Sequence, residues 1–148
     1  MSDTKPFRVL FVCIGNSCRS PMAEAIARAK YGDIMEASSA GIAPAAIIQP
    51  ETERCLQEGG YQLFDDMRPE ALTAVDWGSM DVIVNMSGAG ILPLIQGYRG
   101  GNLIWEVQDP MGRPLEAYRQ ARERIERQLE RLAETLRAHA AKPDDEGP

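Results

Sequence analysis

Two cysteines, an arginine and two serines crowd into VCIGNSCRSP, residues 12–21. Cys13 and Arg19 are separated by five residues that include Gly15 and Asn16. Those types in that order are the parts of an oxyanion site. Gly15 permits close backbone approach, Asn16 tolerates a left-handed conformation, and successive N–H groups around such a turn form an anion-binding nest. Arg19 adds a planar fork that holds two oxygens of a phosphoryl group, which the point charge of a lysine does not. A thiol in that nest, beside a helix N-terminus, is stabilised as thiolate, so Cys13 is the candidate nucleophile. Ser20 is placed to donate a hydrogen bond to the sulfur. The loop is not a nucleotide P-loop, because no Gly-Lys-Ser/Thr follows it. It is not a metal site either: Cys55 is the only other thiol and His139, the only histidine, lies near the C-terminus. No metal and no cofactor is expected.

Capture of a phosphate ester by Cys13 needs a neutral acid to protonate the leaving oxygen. WEVQDPMGRP, residues 105–114, supplies Asp109. Pro110 holds the preceding residue extended, so the pair reads as a loop and not a helix start. As a carboxylate, the same residue would then activate water against the covalent intermediate.

These groups need a scaffold. FRVLFVC (7–13) is a short apolar run of β-formers, as expected of a strand buried on both faces. Ser20 and Pro21 read as N-cap and first position of a following helix, with Glu24 in its first turn against the dipole and an end near Gly32. Residues 35–39 read as a second strand and 50–58 as a helix stopped by Gly59-Gly60. Leu72 to Trp77 reads as a short helix, 81–86 and 102–105 as further strands. From Leu115 onward Tyr118, Arg122, Ile125, Leu129, Leu132 and Leu136 mark a helical stripe. Strands alternating with helices predict an α/β fold: one three-layer domain over 1–140 with a central four-stranded parallel sheet and helices on both faces, then a disordered tail at 141–148.

The chain of 148 residues is 44% hydrophobic and 26% charged, the balance of a globular domain. Its net charge of -6 argues against nucleic acid, which demands a basic surface. No apolar run has the length of a membrane span, and MSDTKPFR lacks the features of a secretory signal, so a cytoplasmic location and no membrane partner are expected. Three cysteines make no even disulfide framework.

VCIGNSCRSPMAEAI resembles the phosphate-binding signature of the low-molecular-weight protein tyrosine phosphatase family, whose fold is shared with the arsenate reductases. SSAG (38–41) matches the family's next motif, and the likeness runs from Arg8 to about Leu136. The resemblance implies Cys13 as nucleophile, Arg19 as oxyanion clamp and Asp109 as general acid. It makes Ile14, Gly15, Asn16, Ser17, Cys18 and Ser20 the phosphate loop, with Ser39 bracing it through Asn16 and Cys18 guarding Cys13 from overoxidation. Three departures stand out. Met111 and Gly112 follow Pro110 where the family carries aromatic residues, GIAPAAIIQP (41–50) has none, and LFDDMRPEAL (63–72) lacks the family's histidine, so the loop must draw support from another group. The short 41–50 loop and Trp105 look closer to the reductase branch, yet NMSGAGILPL (85–94) has Ser87 where that branch places relay cysteines. The expected activity is therefore hydrolysis of phosphotyrosine or aryl phosphate monoesters through a cysteinyl-phosphate. The alternative is an arsenate reductase served by thioredoxin or another external thiol. A phosphoprotein or small phosphate ester is the expected partner, and a monomer the expected state.

Overall fold

The computed structural model describes residues 5–141. Phe7–Cys13 forms β1, buried from Val9 onward because apolar side chains point to both of its faces. It pairs in parallel with β2 (Met35–Gly41) on one side and β3 (Val82–Asn85) on the other, and β4 (Gly101–Ile104) completes the sheet in the order β2-β1-β3-β4. The α/β fold with a four-stranded parallel sheet is thus as expected. Strands are added first to one side of β1 and then to the other. Such a switch opens a crevice at the carboxyl end of the central strand, where Cys13 stands.

Helices α1 (Arg19–Lys30), α2 (Pro50–Glu58) and α3 (Leu115–Ala141) share one core with Val9, Phe11 and Val84. The stripe on α3 is buried at Tyr118, Ile125, Leu129, Leu132 and Leu136, with Ala121 and Ala133 between. Arg122 is the polar member of the stripe. It reaches across to donate 2.7 Å to the carbonyl of Cys55 in the last turn of α2, where a cation suits the helix dipole. The opposite face of the sheet, Leu10, Val12 and Ile83, packs on Leu72, Met80, Ile91 and Ile95. Its helical cover consists of the 3₁₀ turns Leu72–Ala74, Trp77–Ser79 and Leu92–Leu94. The single short helix expected over 72–77 is two of these turns, because Val75 adopts an extended backbone between them.

Boundaries moved by one or two residues at β2, β3 and β4. β2 runs on to Gly41 because its register places Gly41 beside Cys13. The helix α3 continues to Ala141, and the rest of the expected tail lies outside the described residues.

Candidate active site

The turn after β1 is tight enough to dictate its residues. Asn16 has φ +51, the left-handed conformation its short polar side chain accommodates. Gly41 admits no side chain: a Cβ there would lie 2.7 Å from the Ile14 carbonyl oxygen and 2.8 Å from the Asn16 nitrogen. The segment after β2 lies along the turn and occupies its carbonyls. Ile42 N donates to Cys13 O (3.1 Å), Ala43 N to Ile14 O (2.8 Å), Ala45 N to Gly15 O (2.8 Å) and Gln49 N to Ser17 O (2.9 Å). Thr52 Oγ1 adds a second bond to Ser17 O at 3.0 Å. The N–H groups of Gly15 to Arg19 meet no backbone acceptor among the described residues. A loop with its carbonyls tied outward and its amides unclaimed is a receptor for an anion.

Cys13 Sγ lies 2.9 Å from Ser20 Oγ and 3.4 Å from Ser20 N. Ser20 is therefore not the N-cap that the Ser-Pro pattern suggested. The helix begins two residues earlier, with Cys18 in the cap position and no capping side chain, which turns the Ser20 hydroxyl inward onto the sulfur. The Asn16 side-chain nitrogen donates to both Ser20 Oγ (2.8 Å) and Ser39 Oγ (2.9 Å), and its carbonyl oxygen accepts from Glu70 N at 2.8 Å. Ser39 is thus bonded to the loop through Asn16. Beyond Ser39 lies Glu24, which sequence reasoning placed in the first turn of α1 as a partner of the helix dipole. It is buried instead, accepting from Ser39 Oγ at 2.6 Å and from Arg28 at 3.0 Å. The spacing of Glu24 and Arg28 by one helical turn was visible, but such pairs usually sit on solvated faces.

Arg19 is buried, its Nη1 donating to the carbonyls of Met86 (2.6 Å) and Val107 (3.0 Å) beyond the ends of β3 and β4. Its Nη2 lies 3.5 Å from Asp109 Oδ2. Asp109 is in a loop, as Pro110 required, and its Oδ1 accepts from Met111 N at 3.1 Å. Cys13, Arg19 and Asp109, named from the sequence and its family resemblance, are gathered around Cys18, on which all three act through their charges.

The other two thiols stand apart in character. Burial pushes Cys18 up to about 12, although a bond from Thr52 opposes it, and Cys55 is also raised by burial in the core beneath Arg122. The loop after β3 holds no thiol: Ser87 bonds back to Asn85 Oδ1 at 2.6 Å and Asn85 spans to Ala89 O at 2.7 Å. Trp105 packs on Phe11, Trp77 on Tyr98, and the Tyr61 hydroxyl donates to Glu126, so these aromatic rings are structural. Ile14, Ile47 and Met111 are the large apolar side chains left exposed on the segments that carry the loop, its flanking strap and Asp109. Tyr118, read only as core, also reaches the site's edge, donating 2.9 Å to Gln49. A cavity of about 850 Å³ shares Arg19 and is floored by Met86 and Trp105, but neither Cys13 nor Asp109 lines it.

Among the described residues no cluster of metal-ligating side chains occurs, and no helix is long and apolar enough to cross a membrane. The family model described as low molecular weight phosphotyrosine protein phosphatase matches residues 8–142. The protein-arginine-phosphatase of Geobacillus stearothermophilus is 32% identical over 88% of this chain and 97% of its own. The solved structure of the YwlE arginine phosphatase from Geobacillus stearothermophilus superposes with a TM-score of 0.81 at 29% identity, covering 90% of this chain and 95% of that one. A glutaredoxin arsenate reductase of Synechocystis is 27% identical over 84% of this chain and 95% of its own.

Proposed function

The chain belongs to the low molecular weight phosphotyrosine protein phosphatase family and is a phosphatase of that class, and we propose that it hydrolyses aryl phosphate monoesters, phosphotyrosine foremost, through a phosphocysteine at Cys13. The sulfur attacks phosphorus while the loop amides and Arg19 hold the remaining oxygens. Asp109 gives its proton to the departing aryl oxygen as the ester P–O bond breaks. In the second half-reaction Asp109, now a carboxylate, takes a proton from the water that attacks phosphorus. The P–S bond then breaks and inorganic phosphate leaves, with Ser20 steadying the returning thiolate. The observation that carries this reading is the sulfur itself, met by both the hydroxyl and the amide of Ser20 at 2.9 and 3.4 Å. Two hydrogen-bonding groups on one sulfur hold it in place for attack.

A second substrate class is favoured by the rim. Ile14, Ile47 and Met111 are aliphatic and exposed, and no aromatic ring is among the exposed large apolar side chains of the described residues. That suits a long flexible side chain such as a phosphorylated arginine, and the Geobacillus relative is named a protein-arginine-phosphatase. Reduction of arsenate has less support, since the relay would have to come from an external thiol or thioredoxin: the loop after β3 has none, and Cys55 is buried. The test is one comparison of turnover on p-nitrophenyl phosphate, a phosphotyrosine peptide, a phosphoarginine peptide and arsenate with thioredoxin. Ester hydrolysis that depends on Cys13 is expected. Arsenate-dependent thiol oxidation faster than hydrolysis of either phosphopeptide would overturn the reading.

A further inference from the structure

We propose that Arg28 is a positioning residue for Cys13, acting through Glu24 and the polar groups between them, and that it supplies the support the missing histidine leaves vacant. The proposal rests on the reading of Cys13 as nucleophile. Arg28 stands one turn beyond Glu24 on α1, and its guanidinium touches three groups. Its Nη1 lies 3.0 Å from Glu24 Oε2 and 2.8 Å from Asp66 Oδ1, and its carbon sits 4.0 Å from the centre of the Phe64 ring. The loop after α2 is thereby fastened to α1, and a buried carboxylate acquires a cation.

The network beyond Glu24 has a direction, fixed at Asn16. Its oxygen is committed to the N–H of Glu70, so both amide hydrogens point the other way, one to Ser39 and one to Ser20. Ser39 accepts from Asn16 and must place its own proton on Glu24, which requires an acceptor there. Ser20 likewise accepts from Asn16, which frees its hydrogen for the Cys13 sulfur in preference to the more distant Ala40 carbonyl at 3.5 Å. A charged Glu24 thus keeps each proton turned toward the thiolate. Burial pushes the Glu24 carboxyl up, the bonds from Ser39 and Arg28 and the charge of Arg28 hold it down, and the charge of Asp66 opposes them. At the other end Cys13, Asp109 and Arg19 all act on Cys18 through their charges, and Arg19 faces Asp109. Removing Arg28 leaves Glu24 to take a proton, which then competes to donate to Ser39 and loosens the orientation of Asn16 and Ser20.

The test reads the thiol directly as well as turnover. Arg28→Met, Arg28→Lys, Glu24→Gln and the double variant Glu24→Gln with Arg28→Met are compared with the wild type. Each is assayed for p-nitrophenyl phosphate hydrolysis and for the rate at which iodoacetamide alkylates Cys13, at pH 6 and pH 8. In Arg28→Met both kcat and alkylation are expected to fall about fivefold to tenfold at pH 6, the weight of one ordinary hydrogen bond, with a smaller deficit at pH 8 and KM little changed. Arg28→Lys restores part of the rate, and the double variant is no slower than Glu24→Gln alone. Wild-type alkylation in Arg28→Met, or two losses that multiply in the double variant, overturns the proposal. Should Arg28→Met fail to fold, Glu24→Gln decides, and a wild-type alkylation rate in it has the same force. Were the chain to hydrolyse no ester, the alkylation arm would still read Arg28, so the two failures are distinguishable.

Discussion

Cys13 stands at the end of a bonded series through Ser20, Asn16, Ser39, Glu24 and Arg28, drawn from β1, the turn after it, α1 and β2, whereas Asp109 stands on an open loop, bonded to Met111 N and facing Arg19 at 3.5 Å. Asn16, Ser20 and Ser39 are buried, while the Asp109 side chain is 46% exposed. The contrast divides the labour. Attack demands a sulfur and an oxyanion nest held in one geometry, so the chain commits buried hydrogen bonds to that half. In the proposed reaction Asp109 must reach leaving groups of different shape and both give and take a proton, which a half-exposed carboxylate on a loop allows. Arg19 joins the halves, fixed by two carbonyls on one amino group and facing Asp109 with the other.

Breaking the rigid half has the largest effect. Cys13→Ser keeps the nest but replaces the nucleophile, and kcat for p-nitrophenyl phosphate should fall by about 10⁴-fold or more, in the range seen when a covalent nucleophile is removed. Inorganic phosphate should still protect that variant from heat. Turnover within tenfold of wild type would put the covalent step elsewhere. Breaking the open half should be selective. Asp109→Ala is expected to slow esters of poorly acidic alcohols and phenols by about 10²-fold to 10⁴-fold, and to spare those whose leaving groups need no proton. Equal slowing across a leaving-group series would show that Asp109 only anchors Arg19.

Much of this division was legible in the sequence, and the rest was not for identifiable reasons. The strand-turn-helix around Cys13 and Arg19 is local, and each residue's type matches its neighbours' needs, as Asn16 at φ +51 shows. Asp109-Pro110 is local too. Ser20 was misplaced as a cap because Ser-Pro means the same thing at any helix start, and only the inward turn at Cys18 tells the two uses apart. Glu24, Arg28 and Asp66 were missed because their partners are distant in sequence: Ser39 arrives on β2 and Asp66 on the loop after α2. The 3₁₀ cover over Leu10 and Ile83 was unreadable for the same reason, since runs this short carry no period.

The comparison is sharpened by asking which thiol reacts. At pH 7 iodoacetamide should label Cys13 and leave Cys18 and Cys55 unmodified in the folded protein, because burial pushes Cys18 up to about 12 and raises Cys55 as well. Peptide mass mapping checks this. Labelling of Cys18 at a rate comparable to Cys13 would contradict the buried environment given to it. Cys18→Ala should leave turnover within about threefold of wild type, since the side chain packs as a small apolar group.

The smallest effect concerns what the rigid half costs the fold. The pull of burial on Glu24 exceeds that of Ser39 and Arg28, so its carboxyl titrates above the usual range in the native state. Between the unfolded and native titrations the native chain holds more protons than the unfolded one, and stability therefore falls as pH rises through that window. Glutamine at the same place has no proton to lose, so Glu24→Gln removes the slope. The melting temperature of the wild type relative to Glu24→Gln should therefore decline as the pH is raised from about pH 4 toward neutrality. A flat difference would mean that Arg28 and Ser39 fully offset the burial. A decline, paired with slower turnover in the variant, would show that the carboxylate is kept charged beside Ser39 for catalysis at the expense of stability.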